Sequence, residues 1–209
     1  MDKFSKLEQR HLLLSKQMVA ADGGNMFLVD LYAFGSIKRS MAHCKGFATM
    51  IATKNLTCAG GIIRMQLDTL LRFYALFLVD EPHGFAGSVM KGKPVKEHKD
   101  RMGQLMHDSY LVKQLSKEYS WVESVYKETS GYIHFSAKHI FSAMHSIGDD
   151  RTFQIQISSE DIERSEEVYD EAIAAFVHIT EIFLDYLEGW VFTKDNPHLV
   201  KAAREQQPA

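Results

Sequence analysis

The chain has 209 residues, 45% of them apolar and 24% charged, which is globular composition and excludes intrinsic disorder as its main state. A formal net charge of −3 excludes a generic nucleic-acid coat and leaves room only for a local basic cleft. The two cysteines, Cys44 and Cys58, make no disulfide framework, and the start of the chain is charged rather than apolar, so a reduced, cytoplasmic protein is expected.

Apolar residues at three- and four-residue steps predict a first helix over 3–20, ended by Asp22-Gly23-Gly24-Asn25. A second helix is expected over 26–53 and a third over 57–79, the latter stopped by Asp80-Glu81-Pro82. The most apolar stretch, 62–79, carries Arg64, Asp68 and Arg72, which are costly in a bilayer, so no membrane span is expected. A short helix after residue 85 and a basic loop follow, then helices over 101–118 and 121–147. Residues 151–157 alternate with period two and read as a strand, with Lys93-Pro94-Val95 as its weak candidate partner. Ser158 or Ser159 is expected to cap the longest helix, running to Val191 behind an acidic first turn. The pattern implies an all-α bundle of five to seven helices over 1–195, with at most one short strand or hairpin near 151–157 and a polar tail over 196–209.

Two constellations stand out. Arg64, Asp68 and Arg72 are spaced four apart, so they form one charged stripe on an otherwise apolar helix. Two guanidiniums flanking a carboxylate suit either an anion clamp or a structural salt-bridge ladder. Gly61 and Ala75 on the same side leave room for close approach. The second constellation is Ser130-Gly131-Tyr132-Ile133-His134-Phe135-Ser136-Ala137-Lys138-His139. On one continuous helix His134 and Lys138 share a face, and His134 suits general acid–base work near neutral pH.

Glu8-Gln9-Arg10-His11 is a single E-x-x-H, whereas a di-iron bundle needs a second copy and two further acids. The cysteines have no C-x-x-C context, and neither a metal site nor a cofactor is expected. Lys91, Lys93, Lys96 and Lys99 form a basic patch and are the best candidates for contacting a phosphate backbone. Tyr169, Tyr186 and Trp190 on the longest helix exceed what one bundle is expected to cover, which predicts a homodimer through helical faces.

The pairing of Arg64-Met65-Gln66-Leu67-Asp68-Thr69-Leu70-Leu71-Arg72 with the later Ser130-to-Ser136 segment resembles bacterial all-helical proteins, and the layout is similar, more loosely, to the HEPN superfamily. That resemblance implies a metal-independent ribonuclease or phosphoryl-transfer enzyme, working as a dimer on RNA in toxin or phage-defence systems. The family motif places an Arg four to six residues before a His. Here the nearest upstream base is Lys127, seven residues before His134, so His134 alone stands as the motif counterpart. The enzyme reading then gives His134 the acid–base role, Arg64 and Arg72 the phosphate charge, and Asp68 the task of holding them. The alternative is a non-catalytic, antitoxin-like or adaptor subunit whose stripe is structural.

Overall fold

The computed structural model describes residues 2–147, 153–155, 157–161 and 164–199. The polar tail expected over 196–209 therefore lies outside the described residues from 200 onward. Eight α-helices are present among the described residues: α1 Asp2–Ala20, α2 Leu28–Ala52, α3 Leu56–Tyr74, α4 Pro82–Met90, α5 Asp108–Leu115, α6 Val122–Ile133, α7 Ala137–Ser142 and α8 Glu166–Asp195. Strands β1 Met144–Ile147 and β2 Phe153–Ile155 form one antiparallel hairpin between α7 and α8. The fold is an all-α helical bundle, and among the described residues no helix is long and apolar enough to cross a membrane.

The central element is α3, which packs against α2, α5, α6 and α8. Leu67, Leu70, Leu71 and Phe73 on it are fully buried, as a helix that is apolar over most of its surface requires. Aromatic rings tie the long helices together. Phe47 of α2 stacks on Phe176 of α8 at 4.2 Å, and Phe73 meets the edge of Phe183 at 5.2 Å. The turn into α3 uses Lys54 in the left-handed region, at φ 51°, and the Asn55 side chain accepts a hydrogen bond from Cys58 N–H at 2.9 Å.

Five features depart from the sequence pattern: the third helix ends at Tyr74 rather than at residue 79, continuing only as a 3-10 turn over Ala75–Phe77, and four others change for local reasons. Residues 101–107 are not helical, because the Asp100 carboxylate accepts from the backbone N–H groups of Met102 and Gln104 and from the Tyr110 hydroxyl, fixing a loop that turns at Gly103. The helix expected over 121–147 splits. Ser136 caps a new helix, with its own N–H donating to His139 Nδ1 at 3.1 Å, and His134 sits between the two in an extended conformation. The partner of β2 is β1, not Lys93-Pro94-Val95; Val95–Glu97 is a single 3-10 turn. The longest helix starts at Glu166 behind Ser165, not behind Ser158 or Ser159. Asp161 is drawn instead onto the start of α3, where its carboxylate accepts from Leu56 N–H at 2.5 Å and its N–H donates to the Lys54 carbonyl at 2.8 Å.

A polar network runs through the core. His11 Nδ1 donates to the Leu7 carbonyl at 2.7 Å, which leaves Nε2 to accept from the Ser40 hydroxyl at 2.8 Å. Gln66 Nε2 donates to Ser40 Oγ and Thr180 Oγ1, and Gln66 Oε1 accepts from His43 Nδ1 at 3.0 Å. This network joins α1, α2, α3 and α8. It gives His11, the histidine of the isolated E-x-x-H, a structural place with 0% exposure.

Candidate functional site

The charged stripe of α3 does not close on itself. Arg72 Nη2 meets Asp68 Oδ1 at 2.9 Å, but Arg64 reaches neither. Both arginines instead converge on Asp108 at the start of α5, Arg72 at 2.5 Å and Arg64 at 3.3 Å. Asp68 in turn holds Arg39 of α2 at 2.9 Å. The result is one ion-pair chain, Arg39–Asp68–Arg72–Asp108–Arg64, across three helices. The mutually bonded triplet suggested by the spacing is replaced by a five-membered set, because an i,i+4 reach joins Arg72 to Asp68 while Arg64 leans toward α6. There its guanidinium lies 4.2 Å from the centre of the Tyr126 ring.

The set is half-open rather than buried: side-chain exposure is 14% for Arg64, 25% for Arg72 and 43% for Arg39. Burial of the Asp108 carboxyl opposes its charge, but the hydrogen bond and charge of Arg72, then of Arg64, outweigh it and hold the carboxyl below its ordinary range. Burial likewise opposes the charge on Arg72, and Asp68 and Asp108 reverse it, raising the guanidinium above its ordinary value. Arg72 Nη1 is buried without a hydrogen-bond partner. Its carbonyl accepts from the Tyr32 hydroxyl at 3.0 Å, which fixes the backbone beneath the cluster.

An open cleft of about 330 Å³ lies over this set. Arg39, Arg64, Asp68 and Asp108 form one side, and Tyr126, Ser130 and His134 of α6 and its C-terminal end form the other. Of the four residues singled out from the sequence, Arg64, Asp68 and His134 line this cleft and Arg72 does not; Arg72 pairs with Asp68 and Asp108, which do. The apposition of α6 depends on Gly60, since a Cβ there would lie 2.5 Å from the Tyr132 ring. The close approach comes one residue before Gly61, whose own nearest neighbour is Ile133 at 3.9 Å.

His134 does not share a helix face with Lys138. The chain is extended at His134, and Lys138 turns away to pair with Glu128 and to lie 5.0 Å from the Tyr132 ring centre. His134 is exposed, so its imidazole meets the cleft and solvent together. Lys91, Lys93, Lys96 and Lys99 are all exposed on the segment between α4 and α5, outside the residues lining this cleft.

Asp108 and Arg39 were not among the residues singled out from the sequence, and Ser130 was read only as part of the His134 segment. Asp108 carried no signal, because the pattern placed it inside a helix over 101–118, and its position at the start of α5 is set by the loop before it. Arg39 carried none, because its partner is on another helix. Among the described residues no group of three His, Cys, Asp or Glu side chains is placed to hold a metal ion; Cys44 is buried and Cys58 exposed. No protein-family model, curated protein or solved structure matches the chain.

Proposed function

We propose that the cleft binds a phosphate group and that the protein is a HEPN-like, metal-independent ribonuclease or phosphoryl-transfer enzyme. The observation that supports this is the meeting of Arg64, Asp68 and His134 at one open cleft over a half-buried arginine set. On an RNA strand His134 takes the proton of the 2′-hydroxyl as its oxygen attacks the adjacent phosphorus. The 5′-oxygen bond breaks, the proton returns to that oxygen, and a 2′,3′-cyclic phosphate remains. Arg64 faces the phosphate and stabilises the charge that develops on it. Arg72 and Asp68 are positioning residues that hold Asp108 and Arg39. The exposed Lys91, Lys93, Lys96 and Lys99 supply phosphate contacts along the strand. Two copies join through the exposed Ile133 and Phe135 that flank His134 in the chain. The α8 aromatics that the pattern pointed to are engaged within the bundle: Tyr169 is buried, Tyr186 packs on Tyr74 and Phe77, and Trp190 donates to Asp30, while Phe192 is the large apolar side chain that α8 exposes among the described residues.

The test is a labelled single-stranded RNA incubated with the purified chain in EDTA, with light scattering alongside. Cleavage to a cyclic phosphate is expected, reduced by about 10²–10⁴ in His134→Ala and without loss of the folded state. No cleavage and no RNA binding would reject the reading. The second reading, a non-catalytic interaction or adaptor subunit, is favoured by one observation: the two carboxylates already engage all three arginines. On that reading Arg64→Met and His134→Ala leave every cellular phenotype of the protein intact.

A further inference from the structure

Between α6 and α8 the chain leaves the bundle. α7 and the β1–β2 hairpin follow His134, and α7 packs on α6, but neither strand packs extensively on α1, α2, α3 or α8. A cavity of about 540 Å³ lies between this arm and the start of α3, lined by Phe141, Met144 and Ile157 on one side and by Asn55, Thr57 and Cys58 on the other. A two-stranded hairpin standing alone is marginal in water; a third strand or a packed face is what stabilises it.

Both outer edges of the hairpin are unpaired among the described residues. They are also unprotected. Native sheets blunt a free edge with charged side chains or with Pro, and Met144-His145-Ser146-Ile147 and Phe153-Gln154-Ile155 contain no Lys, Arg, Asp, Glu or Pro. β1 also packs on α7, whereas β2 packs mainly on β1, so β2 has the more open edge. Phe135, Ile140, Phe141, Ile155 and Ile157 are each more than half exposed. Side chains of these sizes offer on the order of 600 Å² of apolar surface, close to the ~800 Å² that each partner gives to a standard interface. A neutral edge beside apolar side chains selects no charged partner. A second copy of the same arm matches it in length, polarity and area, and antiparallel pairing about a two-fold axis lets one strand meet itself.

We propose that this arm is the contact between two copies of the chain: β2 of one copy pairs with β2 of the other, giving a four-stranded antiparallel sheet of order β1-β2-β2-β1 with the arm's apolar side chains between the copies. The proposal rests on the dimer reading above, not on RNA cleavage. Analytical ultracentrifugation of the full-length protein at micromolar concentration is the test. The wild-type chain sediments as a dimer, and Ile155→Lys combined with Ile157→Lys, both at exposed positions, weakens the dimer by about tenfold or more. Cys44 is buried, so Ile155→Cys in a Cys58→Ser background presents a single accessible thiol. A short bismaleimide joins that thiol to its copy, whereas Val19→Cys on α1, also exposed, is not joined. The crosslink keeps the pairing testable should the lysine variant fail to fold. A monomeric wild type, a dimer unweakened by the two lysines, or crosslinking at Val19 as efficient as at Ile155 would overturn the proposal. RNA cleavage measured on the same samples separates it from the enzyme reading: a cleaving monomer removes the arm contact and keeps the enzyme, and a non-cleaving dimer crosslinked at Ile155 does the reverse.

Discussion

Two charged clusters sit in this bundle, and they differ in what surrounds them. Asp30 and Lys194 have side chains with 0% exposure, and the charged atoms of both are engaged. Asp30 accepts from Lys194, Trp190 Nε1 and Phe27 N–H, and Lys194 also donates to the Met18 carbonyl. The arginine set on α3 has three guanidiniums for two carboxylates, open space above it and an unpartnered Nη1 beneath. A saturated, dry pair has nothing left to offer a ligand and serves to lock α1, α2 and α8 together. A half-open set with spare donors retains the capacity to bind. Burial and donor count, not the presence of charge, separate the two.

The sharpest way to break this comparison is to remove one buried partner. Lys194→Met leaves the Asp30 charge enclosed and is expected to cost about 3–5 kcal/mol in urea unfolding, whereas the double replacement Asp30→Leu with Lys194→Met recovers much of that loss. A smaller effect follows from Gly60→Ala, whose new methyl meets the Tyr132 ring. We expect a loss of about 1–3 kcal/mol from the forced shift of α6, with His134 displaced from the cleft and RNA cleavage lost more than stability. Wild-type cleavage in a fully folded Gly60→Ala chain would show that the apposition of α6 is immaterial.

Acid separates the core network from the arginine set. Burial lowers the His11 pKa below its ordinary 6.5, against the opposing bond to the Leu7 carbonyl, and half-burial does the same for His43. The unfolded chain then binds more protons than the folded one once pH drops below about 6.5, so stability is expected to fall from there downward. His11→Gln should flatten this slope in melts between about pH 7.5 and 5.5. Asp108 acts in a lower window: its depressed pKa adds stability above its ordinary 3.8 that is lost as pH falls below it. The smallest effect belongs to Arg39→Gln, the most exposed of the three arginines. It should cost about 0.2–1 kcal/mol in a thermal melt yet weaken RNA binding measurably at low salt.

The all-helical class and the positions of α1, α2 and α3 could be read directly from the chain, because long apolar periodicity on few glycines and prolines leaves little else to form. The breaks at Ser136 and Ser165 could not. Ser130-to-His139 carries a helical pattern, but bonds at Ser136, from its N–H to His139 Nδ1 and from its hydroxyl to the Gly131 carbonyl, accompany two helices where one is implied. Asp161 looked like the acidic opening of α8 and is captured by α3 instead.

The site divides the same way. Sequence spacing alone put Arg64, Asp68 and Arg72 on one stripe, since i,i+4 geometry is a property of a single helix. It drew attention to His134 as well, though on a helix face that His134 does not occupy. Whether the stripe would be a closed ladder or an open set depended on Asp108 and Arg39, each on another helix and 44 and 29 residues from its partner on α3. Contacts across such separations follow from how helices cross, which no local pattern encodes. Tertiary packing therefore decided that two carboxylates would be shared among three arginines, and that a cleft would remain above them with His134 at its edge.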